Sequence, residues 1–457
     1  MTERKVFKIA PQHGGGSVDR LSELSEGILL HILSRLDTKE AAVTSILSTA
    51  WRNLFLSVPE IRLCFSRMDA FERGGLFPLF TRFANRVLQE RNDAPIKGIR
   101  LNVEFFNERF RPSLESLFST VAHSLSTHKV QVVCIIVDID SLNEFDEFEP
   151  CTFIKVPRGM FSSETLVHLH LHVRVAWDVP KFVWLPNLKF LHLISLRLVD
   201  QDSVPRLLQG CPLLENLILV LRSLDEFENG EEAVQVDSLS IFSPSLKWLM
   251  FVWQDRVESN FSVFVTSENL ESFSCELEGP YKVTLDAPKL KSLNLYGEVF
   301  EFNMTQKLVS IVEALYLYPS VPTLTNLIKL ELKPDYTLQF DGGVISRVLL
   351  NLFECSPNLE VLIFNTVSDV YFGDGDYFDS VLSRALPLSF VEHLKVIELN
   401  KFRYGELEFK LVEYFLKNGK SLEKIAIGVN DWEFVPKHRN KILSFEKCSE
   451  DCQIVFR

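Results

Sequence analysis

The chain has 457 residues, of which 46% are hydrophobic, and a formal net charge of −13. This length is enough for more than one folding unit with a large core. An acidic chain without a basic stripe has little to neutralise phosphate groups, so we expect no nucleic-acid partner.

The sequence also has no feature that predicts a membrane or secretory route. No uninterrupted apolar run reaches about 18 residues, the length that a spanning helix needs, so we expect no membrane partner. The opening segment MTERKVFKIAPQ is charged and lacks the apolar core of a signal peptide. The eight cysteines include no C-x-x-C pair and are interpreted as reduced thiols. Together these features predict a protein of the cytoplasm or nucleus.

The first part of the chain is predicted to contain a small helical unit. Residues 1–17 end in a glycine run and are interpreted as a flexible N-terminus. Residues 18–60 carry three short segments with apolar residues at helical spacing. Ser25 and Ser48 are suitable N-caps for the first and third helices, and Pro59 ends the unit. Three such helices can form a small core of their own.

A six-residue pattern, L-x-x-L-x-L, then recurs along the chain. Its copies, some substituted, begin at Ile96, Val130, Leu166, Leu188, Leu214, Leu246, Leu270, Leu290, Val312, Leu327, Leu359, Leu394 and Leu422. A repeated unit of this kind is typical of a solenoid, in which each repeat adds one short strand to a parallel sheet. The sequence therefore predicts a repeat solenoid over residues 90–375. The alternative is a set of unrelated amphipathic strands, which thirteen copies with one spacing disfavour.

The residues between the leucines are candidates for ligand contact. Successive side chains of a strand point to opposite faces, so the leucines face the core and their neighbours face the inner curve. Large exposed aromatic side chains usually mark a binding surface. We therefore predict that the substrate-binding residues are His170, Phe190, His192, Trp248 and Tyr296. The alternative is that loops or the C-terminal segment cover them.

Four histidines lie close together in this pattern. His168, His170 and His172 alternate onto one face, and His192 falls on the next predicted strand. Such an arrangement can bind zinc or respond to pH near neutrality. No acidic residue completes a metal set in the local sequence, and Cys134 would do so only in a suitable register. The sequence therefore predicts no metal site and no cofactor.

The C-terminal part of the chain is predicted to close the solenoid. In residues 380–457, the segment from Phe409 to Lys417 has the spacing of an amphipathic helix, which we expect to cover the open end of the core. The chain has no G-x-S-x-G elbow, H-E-x-x-H helix, phosphate loop or dinucleotide-binding glycine motif. We therefore expect no catalytic residues and no enzymatic activity.

Three sequence motifs resemble those of one known family. The segment DRLSELSEGILLHILSRLDTKEAAVTSILSTAWRNL resembles an F-box, and the run CPLLE from Cys211 resembles a repeat start of plant F-box/leucine-rich-repeat/FBD proteins. The runs VEHLK from Val391 and CQIVF from Cys452 resemble the FBD module. The resemblance implies an α/β protein: a three-helix F-box at 18–60, a leucine-rich-repeat solenoid with a parallel sheet at 90–375 and an FBD capping region at 380–457.

In this family the F-box binds a Skp-type adaptor of a cullin–RING ubiquitin ligase, and the repeats select the protein substrate. The resemblance thus implies a substrate-recognition subunit in ubiquitin-dependent protein degradation. Its adaptor-binding residues would be Leu21, Leu24, Ile28, Leu29, Ile32, Leu33, Val43, Leu47 and Trp51. The alternative is a non-catalytic interaction scaffold with a degenerate F-box. The substrate, its pathway and any dependence on phosphorylation are not specified by the sequence.

The chain departs from the family pattern in the F-box. The family usually has proline and glutamate where this chain has Ser25 and Gly27, and a basic pair where it has Thr49 and Ala50. Glycine in a helix costs about 1 kcal/mol relative to alanine. Burial of one leucine-sized side chain is worth roughly 1.5–3 kcal/mol, so the intact apolar residues outweigh the glycine. The sequence therefore favours adaptor binding but leaves a degenerate F-box as an alternative.

Overall fold

A run of three short helices followed by a long parallel sheet makes up most of the protein that the computed structural model describes. The described residues are 24–66, 76–91, 95–106, 110–139, 154–198, 200–221, 238–256, 261–304, 324–333, 356–365, 388–402, 404–429 and 436–457. Within these ranges no helix is long and apolar enough to cross a membrane. Helices and strands are numbered in chain order across the same ranges.

The N-terminal helices form as the sequence predicts. They are α1 (Glu26–Leu33), α2 (Thr38–Thr44) and α3 (Thr49–Leu56). Ser48 caps α3, because its hydroxyl accepts a hydrogen bond from the amide of Trp51 at 3.3 Å. Ser25 occupies the predicted N-cap of α1, but its side chain makes no capping hydrogen bond.

These helices share a core separate from that of the sheet. It consists of Leu29, Leu33, Ala41, Trp51, Leu54 and Val58. Phe55 packs against both cores. The hydroxyl of Thr38 accepts a hydrogen bond from the amide of Arg62 at 2.7 Å, and the guanidinium of Arg91 donates to the carbonyl of Val58. The helical unit therefore has its own interior while remaining attached to the start of the sheet.

The sheet is parallel at every strand pairing in the described ranges. Its strands are β1 (Glu60–Phe65), β2 (Gly98–Phe106), β3 (Val132–Ile139), β4 (Ile154–Lys155), β5 (His168–Trp177), β6 (Phe190–Leu198), β7 (Asn216–Leu221), β8 (Ser238–Phe242), β9 (Trp248–Arg256), β10 (Phe261–Thr266), β11 (Ser272–Asp286), β12 (Ser292–Met304), β13 (Lys329–Lys333), β14 (Val361–Asn365), β15 (Val396–Phe402), β16 (Lys424–Val429) and β17 (Gln453–Phe456). The main series runs β1-β2-β3-β5-β6-β7-β9-β11-β12-β13-β14-β15-β16-β17, which is the order of the repeats along the chain.

Some of the return segments, which connect one strand of the main series to the next, also form strands. β10 pairs with β8 on one side and with residues 281–286 of β11 on the other. Residues 272–278 of β11 pair instead with β9 in the main series. Register shifts between Leu277 and Tyr281 mark where β11 passes from one layer to the other.

Helices complete the remaining described returns. They are α4 (Leu76–Gln89), α5 (Arg111–Thr127), α6 (Ser203–Gln209), α7 (Leu388–His393), α8 (Glu406–Asn418) and α9 (Pro436–Leu443), with a 3₁₀ turn at Arg158–Phe161. α4 and α5 pack against each other and contribute Phe77, Leu117 and Phe118 to the main core. Among the described residues, the returns therefore bury the apolar side of the sheet and leave its other side open.

The leucines of the repeats fill that core. Leu169, Leu191, Leu217 and Leu293 are each at most 1% exposed. Phe251 and Phe273, which replace leucines in two copies, are fully buried at equivalent positions. The predicted α/β class, with a three-helix unit followed by a repeat solenoid and its parallel sheet, is thus confirmed. The weak copy at Val312 and residues 1–17, for which a flexible N-terminus was predicted, lie outside the described residues.

The sheet extends beyond the limits predicted for the solenoid. It begins at Glu60, well before residue 90, because Ile61, Leu63 and Phe65 alternate into the main core. It continues past residue 375 to Phe456 at the end of β17. The predicted domain boundaries stay predictions, since no sharp break in the sheet marks them.

One expectation about the C-terminal segment needs correction. The amphipathic helix expected at Phe409–Lys417 is α8, and its residues Val412 and Phe415 are almost fully buried. It lies between β15 and β16, however, and β17 follows beyond them. The helix therefore forms a return on the side of the core, and β17 is the last strand of the series.

A row of asparagines joins successive repeats at their turns. Each side-chain amide donates to a backbone carbonyl of the preceding repeat at 2.6–2.8 Å: Asn187 to Glu164, Asn269 to Pro244, Asn326 to Pro288 and Asn358 to Thr325. These carbonyls lie at turns and have no partner from a strand ladder, so the asparagines satisfy them. The row helps to keep the repeats in register.

Candidate functional site

The helical unit exposes large apolar side chains. Five of them form what we call the apolar helical patch: Ile28 (50% exposed), Ile32 (36%), Val43 (61%), Ile46 (81%) and Leu47 (68%). Ile28 and Ile32 lie one turn apart on α1, and the other three lie at the end of α2 and just beyond it. Exposed apolar residues concentrated on so small a unit are typical of a protein–protein contact.

The predicted adaptor-binding residues fall into two groups. Ile28, Ile32, Val43 and Leu47 belong to the apolar helical patch and are accessible. Leu29, Leu33 and Trp51 are instead at most 6% exposed and pack in the helical core. Leu24 is partly buried against that core, and Leu21 lies outside the described residues.

The prediction that Leu29, Leu33 and Trp51 touch a partner directly therefore needs correction. Leu29 and Leu33 lie on the face of α1 that packs against α3, which carries Trp51. Ile28 and Ile32, each one residue earlier, lie on the adjoining exposed face. The buried residues support the fold of the unit, and the exposed pair remains available for contact.

The two departures from the family pattern leave α1 and α3 helical. Gly27 lies in the first turn of α1, and a Cβ added there would meet no atom within 4 Å. The helix therefore has room for a larger side chain at this position, and the glycine lowers helix propensity without serving a close approach. Thr49 and Ala50 form the first turn of α3.

The open side of the sheet presents a graded row of side chains. Strand pairing places in register, from β2 to β15, Arg100, Cys134, His170, His192, Ile218, Met250, Ser274, Asn294, Glu331, Ile363 and Glu398. The row passes from a cation through imidazoles and apolar groups to carboxylates. We call this side the concave face.

Three imidazoles converge where β5 meets β6. One ring nitrogen from each of His168, His170 and His192 lies within 4.8 Å of the others, and we call these residues the histidine cluster. His170 Nδ1 and His192 Nδ1 are 3.4 Å apart. The ring of Phe190 packs beside His168 with a centroid distance of 5.5 Å. Three of the five predicted substrate-binding residues, His170, Phe190 and His192, are thus brought together.

The environment lowers the pKa of all three imidazoles in the histidine cluster. Burial is the main cause that lowers the pKa of His170 to about 4, and the charges of its histidine neighbours contribute to the same shift. Burial also lowers the pKa of His168, with a contribution from the charge of Arg100. The pKa of His192 is lowered by burial and by His168. Each neutral imidazole has one unprotonated ring nitrogen, which can bind a metal ion.

The other two predicted substrate-binding residues line a separate depression. Trp248 and Tyr296 border a concave pocket of about 560 Å³. Its remaining lining residues are Met250, Ser274, Glu276, Asn294, Glu331, Asn365 and Lys401. β7 lies between the strand of His192 and the strand of Trp248. The five predicted residues therefore share one face but form two sites.

Hydrogen bonds order the acidic side of the concave pocket. Asn365 donates to Glu331 at 3.0 Å, and Asn400 donates to Asn365 at 2.8 Å. The pKa of the Tyr296 hydroxyl is raised by burial, by the charge of Glu331 and by a hydrogen bond to it. Aromatic rings beside carboxylates suit a cationic or amide-rich ligand. Glu331 and Asn365 were not among the residues that the sequence analysis named as candidates.

Comparison with known families reproduces the three-part organisation. The description "FBD-associated F-box protein At5g56370, LRR repeats" matches residues 122–364. An F-box domain matches residues 21–63, and an FBD matches residues 384–427.

Whole-length relatives occur in Arabidopsis thaliana. The putative FBD-associated F-box protein At3g50710 is 26% identical over 479 residues, which cover 96% of this chain and 100% of that protein. The F-box/FBD/LRR-repeat protein At1g13780 is 27% identical over 477 residues, covering 96% and 98%. The FBD-associated F-box protein At5g27750 is 26% identical, with the same two coverages. The similarity thus includes all three parts in the same order.

Proposed function

We propose that this chain, which belongs to the plant F-box/leucine-rich-repeat/FBD family, is the substrate-recognition subunit of a cullin–RING ubiquitin ligase of the Skp–cullin–F-box type. The helical unit binds a Skp-type adaptor, and the repeat sheet binds the protein to be ubiquitylated. The apolar helical patch carries this proposal. It belongs to a unit that has a core of its own and still exposes five large apolar side chains.

The adaptor contact is assigned to the exposed residues of that unit. Complete burial of a side chain the size of valine, leucine or isoleucine is worth about 1.5–3 kcal/mol. Several such side chains can offset the roughly 4–15 kcal/mol that association costs in lost freedom. Leu29, Leu33 and Trp51 act indirectly, because their core fixes the two helices that carry the patch.

Adaptor binding by purified full-length chain tests this assignment. We expect a Skp-type adaptor to form a 1:1 complex, measured by isothermal titration calorimetry. The double variant Val43→Asp, Leu47→Asp places charges in the patch without touching the core and should weaken binding at least about 100-fold, or about 2.7 kcal/mol. The control is Phe242→Asp, a substitution at an exposed apolar residue of β8.

The results separate the proposal from its alternative. Equal affinity of the wild type and the double variant would contradict the assigned surface. No complex with the wild-type chain would favour the scaffold with a degenerate F-box, which is supported by Gly27 in α1 and by the lack of a capping hydrogen bond from the Ser25 side chain.

The substrate contact is assigned to the concave face. Trp248 and Tyr296 supply large, stiff contact surfaces, which are common among residues that dominate binding energy. Glu276 and Glu331 add negative charge to the same pocket. His170, Phe190 and His192 provide a second contact two strands away. A protein segment that reaches both sites must lie across the strands of the sheet.

Proximity labelling under proteasome inhibition tests the substrate surface. Proteins labelled by the full chain in plant cells should include ubiquitylated species that Trp248→Ala labels much less. Phe264→Ala, at an exposed aromatic residue of β10, is the matched control and should leave labelling unchanged. Identical labelling by wild type and Trp248→Ala would remove Trp248 from the proposed contact.

We assign no chemistry to the chain itself. The matched families are typically non-catalytic, and ubiquitin transfer is assigned to other subunits of the ligase. The proposed location is the cytoplasm or the nucleus, where such ligases act.

A further inference from the structure

The histidine cluster combines features of a metal site. His168 and His170 lie two residues apart on β5 and therefore point to the same side of the sheet. His192 lies directly opposite His170 on β6. All three side chains are partly exposed on the concave face, so an ion can reach them from solvent.

The distances are close to those of tetrahedral coordination. Zinc binds imidazole nitrogen at about 2.0–2.1 Å, so two nitrogens of a tetrahedral site lie about 3.3–3.4 Å apart. His170 Nδ1 and His192 Nδ1 already have this separation, at 3.4 Å. One ring nitrogen of His168 lies within 4.8 Å of a ring nitrogen of each of the other two residues, so the three rings are close enough to share one ion.

The surroundings favour imidazole in its metal-binding form. A histidine coordinates a metal through a neutral ring, and burial lowers the pKa of all three residues. Phe190 packs beside His168 and shields one side of its ring from solvent. The nearby cation Arg100 is paired with Glu60 at 2.5 Å, which offsets its charge.

We propose that His168, His170 and His192 form a zinc-binding site whose fourth coordination position faces the concave face of the sheet. Three imidazoles with one open position are the ligand set of zinc sites that accept a further donor. In this chain the open position faces the surface assigned to the substrate. The metal site itself is independent of that assignment and of adaptor binding.

Zinc binding by the purified, chelator-treated full chain tests the proposal. After zinc is added back and the excess is removed by dialysis, we expect one zinc ion per chain, measured by elemental analysis. Cobalt, substituted for zinc, should give the visible absorption of a tetrahedral centre. Replacing one ligand by His170→Ala should weaken zinc binding at least about 10-fold. His192→Gln, which keeps a polar side chain of similar length, should weaken it as well.

Matched variants exclude other sources of zinc binding. His172→Ala, on the same strand but outside the cluster, should retain the wild-type stoichiometry and affinity. The triple variant His168→Ala, His170→Ala, His192→Ala should bind no stoichiometric zinc. Equal zinc retention by the triple variant would assign the metal to thiols elsewhere and overturn the proposal. Absence of stoichiometric zinc from the wild-type chain would overturn it too.

Two further measurements show whether a variant has lost only the metal. Circular dichroism of each metal-free variant should match that of the metal-free wild type. Each should also bind the adaptor as the wild type does, because the cluster lies on β5 and β6 and not on the helical unit. Loss of adaptor binding alone would contradict the proposed function and leave the metal site standing.

Discussion

Gly27 is the residue at which α1 departs most from a good helix former. We expect Gly27→Ala to stabilise the helical unit by roughly 0.5–1 kcal/mol, because alanine loses less backbone entropy and meets no atom within 4 Å. Hydrogen exchange of the α1 amides measures this change. Slower exchange is the expected result, and unchanged or faster exchange would contradict it.

Gly210 is the matched contrast to Gly27. A Cβ at this position would lie 2.6 Å from the carbonyl oxygen of Val183, which is backbone and cannot rotate away. Gly210→Ala should therefore lower the free energy of unfolding of the sheet, where Gly27→Ala raises that of the helical unit.

The asparagine row predicts a measurable contribution from a single exposed side chain. Asn326→Ala removes the hydrogen bond to the carbonyl of Pro288, so we expect a loss of about 0.5–1.5 kcal/mol in the free energy of unfolding. Thr325→Ala, at the adjacent exposed residue, is the control and should change stability by less. Denaturant unfolding measures both variants. Equal losses of stability would show that the hydrogen bond from the Asn326 side chain contributes nothing.

At the scale of single residues, the sequence predicts the apolar positions of α1 but not which of them are buried and which are exposed. Ile28 and Ile32 have the same one-turn spacing as Leu29 and Leu33. Only the packing of α3 decides which pair is buried. The asparagine row was likewise not predicted. Each asparagine bonds to a carbonyl of the preceding repeat, and the sequence does not show how far apart successive repeats lie.

At the scale of one strand, β7 tests whether alternate side chains point into the core and onto the concave face. Leu217 is fully buried, and its neighbour Ile218 is partly exposed on the concave face. Leu217→Ala should destabilise the protein by about 2–5 kcal/mol, because it leaves a cavity in a packed core. Ile218→Ala should cost clearly less. Thermal unfolding measures both variants, and comparable losses would contradict the two-sided strand.

The strands were predictable because their pattern is local. A period of two and a fixed leucine spacing determine which side chains are buried, and Leu191 and Leu217 follow it. The first strand escaped notice, since residues 60–65 lack the repeat pattern and alternate with Ile61, Leu63 and Phe65 alone. The end of the series was also misplaced, because a helix such as α8 has the same amphipathic spacing in a return as in a terminal cap.

At the scale of the whole molecule, the candidate sites depend on register between distant segments. His170 and His192 meet because β5 pairs with β6 in one register, and a shift of one residue would turn one ring to the core. The concave pocket combines Trp248 with Glu331 and Asn365, which lie more than 80 residues further along the chain. Sequence spacing predicts the face on which such residues lie but not which of them meet.

The whole molecule thus separates two surfaces. The apolar helical patch lies on a unit with its own core, and the concave face belongs to the sheet. Under the proposed function, this separation would let an adaptor and a substrate bind at the same time without competing for residues. It also means that a defect in one surface should leave the other functional.

Hydrogen–deuterium exchange of the full chain with and without a Skp-type adaptor tests the central claim most directly. The adaptor should slow exchange in residues 26–47, which carry the apolar helical patch, and leave the strands around Trp248 and Tyr296 unchanged. Protection confined to the sheet, or no protection in residues 26–47 at saturating adaptor, would contradict the account.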